Sequence, residues 1–283
     1  MPGPETTDNE IITKPMDSHS TVPLHTGRTM PVMGLGTWEL TDDTAGSVEE
    51  ALQLGYRMID TAADYGSQPG IGEALRRTEV PREAIFLVAK VEENEDAYEA
   101  TRRYLGEMDQ DYADLMLIHR PPPTGTGRAL WEGLIRVRED GLARDIGVSN
   151  YATNQIDALV EATGEVPVVN QIEWSPFGWS ADMLDYCRAR DIVVQAYSPL
   201  TRTHRLGDPK LAEVAAAYDR TPAQILLRWN LQRGTVPLPK ANRWDHQAEN
   251  LGAFDFELDE AHMEALDGLN EHYSALGATL QYV

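Results

Sequence analysis

Three ionisable residues close short apolar runs: Asp60 in YRMID, Lys90 in AIFLVAK and His119 in ADLMLIH. Later runs end in polar groups too. Ser149 closes RDIGVS and Asn150 follows it, Gln171 lies in PVVNQIE, Tyr197 and Ser198 end DIVVQAYS, and Lys240 follows TVPLP. Asp60 and Lys90 on neighbouring strands can pair, which keeps the lysine charged. Tyr65, in the loop TAADYGSQPG, is placed to fold back over them. A nearby ammonium favours phenolate and so depresses a tyrosine's pKa. A phenol so tuned is a competent proton donor near neutral pH, and His119 can bond the same acceptor oxygen. The set lacks a Ser–His or Cys–His nucleophile pair. Cys187, in the helical-looking DMLDYCRAR, is expected in the core. The seven histidines show neither H-x-x-x-H nor cysteine partners, so no metal is expected. The chemistry that fits is protonation of a carbonyl oxygen while hydride arrives at its carbon.

Such residues need a frame that brings strand ends together. The apolar runs predict eight strands, at 33–37, 56–60, 84–90, 113–119, 144–149, 167–173, 191–198 and 235–239. Their unbroken apolar character suits parallel strands buried on both faces. Helical spacing falls between them, at 43–54 after a Thr41 or Asp42 cap, then 70–77, 95–108, 127–140, 152–163, 180–190, 221–232 and 245–252. Two further helices are expected, at 208–219 and at 259–269 after Glu257 or Asp259. A hairpin around Thr26–Gly27 precedes the first strand. The pattern predicts a (β/α)8 TIM barrel with an N-terminal hairpin and two additional helices. A doubly wound open sheet is the alternative, weakened because no G-x-G-x-x-G opens a helix after a strand. Residues 1–20 read as a mobile tail and 21–283 as one barrel domain.

The chain has 283 residues and a net charge of −22, so nucleic acid and anionic membranes are not expected partners. No apolar run approaches the ~18 residues of a membrane span, and the N-terminus lacks a signal-peptide pattern. One cysteine excludes an internal disulfide and fits a reducing compartment, the cytoplasm. Lys14, Lys90, Lys210 and Lys240 are the only lysines. An acidic, lysine-poor surface repels itself in dilute buffer, and molar salt, with a Debye length of roughly 3 Å, screens that repulsion. The balance suggests a salt-rich cytoplasm, with ordinary acidic solubility as the plainer reading.

The chain resembles an aldo-keto reductase. The resemblance rests on MPVMGLGTW (30–38), GYRMIDTAADY (55–65), FLVAK (86–90), DLMLIHRP (114–121), IGVSNY (146–151), NQIEWSP (170–176), AYSPL (196–200), TPAQILLRWNLQRG (221–234) and the PLPK…EN segment (237–250), in that order. It implies NAD(P)H-dependent reduction of a small aldehyde or ketone by direct hydride transfer, by a monomer. The family's catalytic tetrad falls on Asp60, Tyr65, Lys90 and His119, with Tyr65 as general acid, its pKa lowered by Lys90. Asp60 would hold Lys90, and His119 would orient the substrate oxygen. Ser149, Asn150 and Gln171 match carboxamide-binding positions, and Tyr197 the aromatic that stacks on nicotinamide. Ser198 and Leu200 match pyrophosphate positions. Lys240, Glu249 and Asn250 match positions around the adenosine end. Gly36, Thr37 and Trp38 lie where cofactor and substrate pocket meet. Tyr197 and Trp38 also admit packing roles, and Trp174 and Trp179 stay unassigned. A regulatory subunit that binds cofactor with little turnover is the alternative function.

The chain also departs from the family. Arg120 follows the histidine where many members carry tryptophan, Ala241 replaces a serine, and His246 stands where an arginine often meets the 2′-phosphate. Arg120 is either a receiver for a substrate carboxylate or one side of a salt bridge. The window 233–246 carries Arg233, Lys240 and Arg243 against Asp245. It leads into a helix N-terminus, which favours an anion. NADPH is therefore the expected cofactor, with Lys240 and Arg243 on its 2′-phosphate, and NADH remains possible.

Overall fold

The computed structural model describes residues 16–40, 42–277, 280 and 282. Most of the proposed tail, residues 1–15, lies outside them, as does Thr41. The remainder of that tail makes a turn in which Ser20 N donates to Asp17 O, and Met16 packs against the main core.

Strands β1 (Thr21–Pro23) and β2 (Thr29–Pro31) form the antiparallel hairpin. Eight parallel strands follow: β3 (Leu35–Gly36), β4 (Met58–Asp60), β5 (Phe86–Val91), β6 (Ala113–Ile118), β7 (Ala143–Ser149), β8 (Val169–Glu173), β9 (Val193–Tyr197) and β10 (Val236–Pro237). They pair in sequence order. The first and last meet through Gly34 N to Pro237 O at 3.1 Å and Gly36 N to Pro239 O at 3.0 Å, so the sheet closes as a (β/α)8 barrel. A Cβ on Gly36 would lie 2.8 Å from Leu238 O, so glycine is what lets these strands approach.

The connecting helices are α1 (Thr44–Leu54), α2 (Gln68–Arg77), α3 (Ala97–Met108), α4 (Arg128–Glu139), α5 (Thr153–Thr163) and α6 (Ala181–Arg188). The remainder are α7 (Pro209–Ala217), α8 (Pro222–Gln232), α9 (Trp244–Leu251) and α10 (Glu260–Asp267). Helices α7 and α10 are the two additions. The cap of α1 is Asp43, one residue later than expected, because its carboxylate is the one that reaches Gly46 N, at 2.9 Å. Asp259 caps α10, and Thr221 with Gln224 forms a capping box on α8.

Two apolar layers hold the barrel. Inward-facing Met58, Phe86, Val88, Leu115, Leu117, Val169 and Leu238 fill its interior, and Met30 of the hairpin joins them. Outward-facing residues such as Ile59, Leu87, Met116, Ile146 and Val194 pack under the helices with Trp131, Trp174 and Cys187. Trp174 is fully buried and belongs to this packing. Burial pushes the Cys187 thiol up to about 12, so it stays protonated and inert. At the strands' N-terminal end, Thr26 and Arg28 of the hairpin bond the buried Asp145 at 2.8 and 3.1 Å. The opposite end is left for chemistry.

Candidate active site

Adjacent parallel strands place Asp60 and Lys90 side by side at the C-terminal end of the barrel. Lys90 is fully buried. Its Nζ donates to Asp60 Oδ1 at 2.9 Å, to Asp60 Oδ2 at 2.8 Å and to Thr61 O at 3.0 Å. A short 3-10 turn, Ala63–Tyr65, brings Tyr65 back over the pair. Its hydroxyl lies 3.5 Å from Lys90 Nζ. The His119 ring meets the Tyr65 ring edge-on, with centroids 5.8 Å apart. The four side chains expected to work together are thus one cluster.

The acidity of Tyr65 corrects one expectation. Burial raises the phenol's pKa and Asp60 adds to the rise, so the net direction is up although Lys90 pulls it down. Burial would remove the Lys90 proton, but Asp60 and Tyr65 together outweigh it, so Lys90 keeps its proton. Tyr65 therefore holds its proton at neutral pH, and the lysine limits the cost of releasing it.

These groups open into a cavity of about 620 Å³. Gly36, Thr37, Trp38, Arg120, Ser149, Asn150, Gln171, Tyr197, Ser198, Leu200 and Lys240 line it together with Asp60, Tyr65 and His119. Asn150 Nδ2 donates to His119 O at 3.1 Å, and Tyr197 OH donates to Asn150 Oδ1 at 2.8 Å. Gln171 Nε2 donates to Asp60 Oδ1 at 2.8 Å. Asn150 and Ser198 adopt positive φ, 63° and 48°, which turns the chain out of β7 and β9 at the cavity wall. Trp38 is half-buried beneath the Arg202 guanidinium, 3.8 Å from its ring, so it is a wall of the cavity.

Arg243, Glu249 and Asn250 do not line this cavity. Arg243 is exposed at the start of α9 and bonds Asp245 and His246. Asn250 is buried beside Tyr56, and the Glu249 carbonyl accepts from Gln224 Nε2 at 3.0 Å.

Arg120 is surrounded by acids. Its guanidinium lies 3.2 Å from Asp64, 3.5 Å from Glu92 and 3.5 Å from Glu93. This favours the salt-bridge reading, since three carboxylates outnumber one cation. Asp64, Glu92 and His119 each bring a donor atom within 4.8 Å of the others, a grouping that sequence spacing did not reveal. Sequence reasoning also missed Arg202, Glu173 and the segment after α10. Ser274 Oγ and Ala275 N each donate to Glu173 at 2.6 Å, and Ser274, Leu276, Leu280 and Tyr282 complete the cavity.

The donor set fits a nicotinamide dinucleotide: amides and a hydroxyl at Ser149, Asn150 and Gln171, an aromatic at Tyr197, and the exposed cation Lys240 across the barrel mouth. Residues 32–271 match the model of the aldo/keto reductase family. An aldo-keto reductase of Mycobacterium tuberculosis is 41% identical over 256 residues, covering 88% of this chain and 91% of the relative. One from Mycolicibacterium paratuberculosis is 40% identical over 257 residues, 89% of this chain and 90% of the relative. The crystal structure of a Brucella melitensis aldo/keto reductase superposes with a TM-score of 0.85 at 34% identity, covering 90% of this chain and 99% of that one. The Bombyx mori aldo-keto reductase in complex with NADP gives 0.86 at 31% identity, over 92% and 95%. Among the described residues no helix is long and apolar enough to cross a membrane.

Proposed function

Since the chain belongs to the aldo/keto reductase family and is an NAD(P)H-dependent oxidoreductase, we propose that it reduces a small aldehyde or ketone to an alcohol, with Tyr65 as the proton donor. One observation carries the reading: a buried Asp60–Lys90 pair sits 3.5 Å beneath the Tyr65 hydroxyl, with His119 beside it on the cavity wall. The bound dinucleotide supplies hydride. Asn150 and Gln171 would hold its carboxamide, Tyr197 its ring, Ser198 and Leu200 its pyrophosphate, and Lys240 with Arg243 the 2′-phosphate of NADPH. The substrate oxygen lies between Tyr65 and His119. As that oxygen gains charge, the Tyr65 O–H bond breaks and the proton moves to it. Lys90 stabilises the phenolate left behind, and Asp60 holds Lys90 in place. Trp38 and Arg120 border the space for the rest of the substrate. The proposed setting is a salt-rich cytoplasm, with the protein as a monomer.

The test is loss of reduced-nicotinamide absorbance with a panel of aldehydes and ketones in KCl. Turnover of any of them supports the reading. Cofactor binding without turnover across the panel replaces it with the regulatory one.

A further inference from the structure

Arg202 lays its guanidinium over Trp38, 3.8 Å from the ring, and both residues line the cavity. Trp38 follows β3 and Arg202 follows β9, so the stack spans the end of β10, which lies between those strands in the barrel. The cavity's other arginine is differently placed, because Arg120 is held by Asp64, Glu92 and Glu93. Among the described residues the buried Nε of Arg202 has no hydrogen-bond partner, and no carboxylate pairs with the guanidinium. Glu173 feels its charge, but that carboxylate is committed to Ser274 and Ala275. What holds the guanidinium is the Trp38 face, through cation–π attraction and planar stacking.

The backbone is built to keep it there. Thr201, Arg202 and Thr203 have φ of 52°, 49° and 70°. This is the left-handed region, which residues with a Cβ, and β-branched ones above all, adopt at a cost. Such a run persists where its surroundings over-determine it. Thr201 N donates to Ser198 O and Thr203 N to Leu200 O, both at 2.8 Å. Thr201 Oγ1 accepts from Arg205 N at 3.1 Å. Arg205 in turn donates twice to Glu271, at 3.0 and 3.2 Å, and stacks on Phe177. The turn is pinned at its base, and its tip carries Arg202 onto Trp38.

Of the side chains that line the cavity, Trp38 presents the largest flat ring. A substrate with a ring of its own gains by lying against such a face, and the guanidinium already lies there. We propose that Arg202 is a specificity-determining residue: it covers the Trp38 ring, so that the cavity takes slender aliphatic carbonyl compounds in preference to flat aromatic ones. The inference rests on the reading of this cavity as a site of carbonyl reduction.

The experiment is the ratio of kcat/KM for benzaldehyde to that for heptanal, which has as many non-hydrogen atoms, at saturating NADPH. It is measured in the parent, Arg202→Ala, Arg202→Lys and the double variant Arg202→Ala/Trp38→Leu. The intrinsic reactivities of the two aldehydes cancel when ratios are compared between proteins. In Arg202→Ala the ratio rises roughly fivefold or more, as a newly stacked aromatic pair supplies. Arg202→Lys, with a compact ammonium in place of the flat guanidinium, lies between the two, and the double variant loses the gain. An unmoved ratio in Arg202→Ala means that Arg202 only anchors its loop or meets the cofactor. A fall means that it sandwiches aromatic substrates against Trp38. Either result overturns the proposal, and so does a gain that survives the loss of Trp38. Calorimetric binding of benzyl alcohol to the NADPH complex, a pair that cannot react, gives a readout free of turnover. Its Kd falls roughly fivefold in Arg202→Ala, and an unchanged Kd overturns the proposal. If neither aldehyde is turned over yet the Kd falls, the function assigned above fails and the role of Arg202 stands.

Discussion

Replacing Lys90 with methionine removes the one cation that both Asp60 and Tyr65 meet in the buried cluster. At 3.5 Å from the Tyr65 hydroxyl, and at an effective dielectric of ~20, the lysine favours phenolate by about 5 kcal/mol. Part returns, because Asp60, stripped of its partner in a buried place, takes up a proton and ceases to oppose the phenolate. About 3 kcal/mol remains, or ~10²-fold in kcat. Breaking a buried pair also costs stability, about 3–5 kcal/mol. The two effects separate in the double variant Asp60→Asn/Lys90→Met, which leaves no orphaned charge. Its melting temperature recovers most of the loss, while its kcat stays ~10²-fold below the parent. Single-turnover rates at saturating NADPH, beside thermal unfolding, measure both. A double variant that turns over within ~3-fold of the parent would refute the electrostatic role of Lys90.

The surroundings of Arg120 predict that neutral aldehydes outperform carboxylated ones of equal size by ~tenfold or more in kcat/KM at low salt, about 1.4 kcal/mol, with the gap narrowing in molar KCl. A preference for carboxylated substrates would restore Arg120 as a receiver. Arg243 is held by Asp245 and His246. Asp245→Asn should therefore raise the NADPH/NADH ratio of kcat/KM and Arg243→Ala lower it, and unchanged ratios in both would remove Arg243 from the phosphate site. With a net charge of −22, the melting temperature should climb with KCl up to molar concentration; a flat curve would leave the acidic composition as ordinary solubility.

Strand order and strand ends were legible because a parallel barrel strand is buried on both faces and shows as an apolar run. The ladders are shorter than the runs where proline lacks an N–H, as at Pro237, which ends β10, and Pro239 just beyond it. The clustering of Asp60, Tyr65, Lys90 and His119 was legible because Asp60, Lys90 and His119 each close such a run. Glu92 was not, since a carboxylate in a loop carries no periodic signal and its partner, His119, is 27 residues away. The Arg202–Trp38 contact and the return of Ser274 and Ala275 to Glu173 depend on long-range folding in the same way. The direction of the Tyr65 shift was misjudged because the sequence names the charged neighbours, Lys90 and Asp60, but not the burial that outweighs the lysine.

The most direct measurement of the central claim compares single-turnover reduction by the parent and by Tyr65→Phe, with NADPH affinity determined on both by fluorescence titration. Phenylalanine keeps the ring and removes the hydroxyl that carries the proton. The account predicts a fall in rate of ~10²–10⁴-fold with cofactor affinity nearly unchanged. Near-parent turnover in Tyr65→Phe would contradict it.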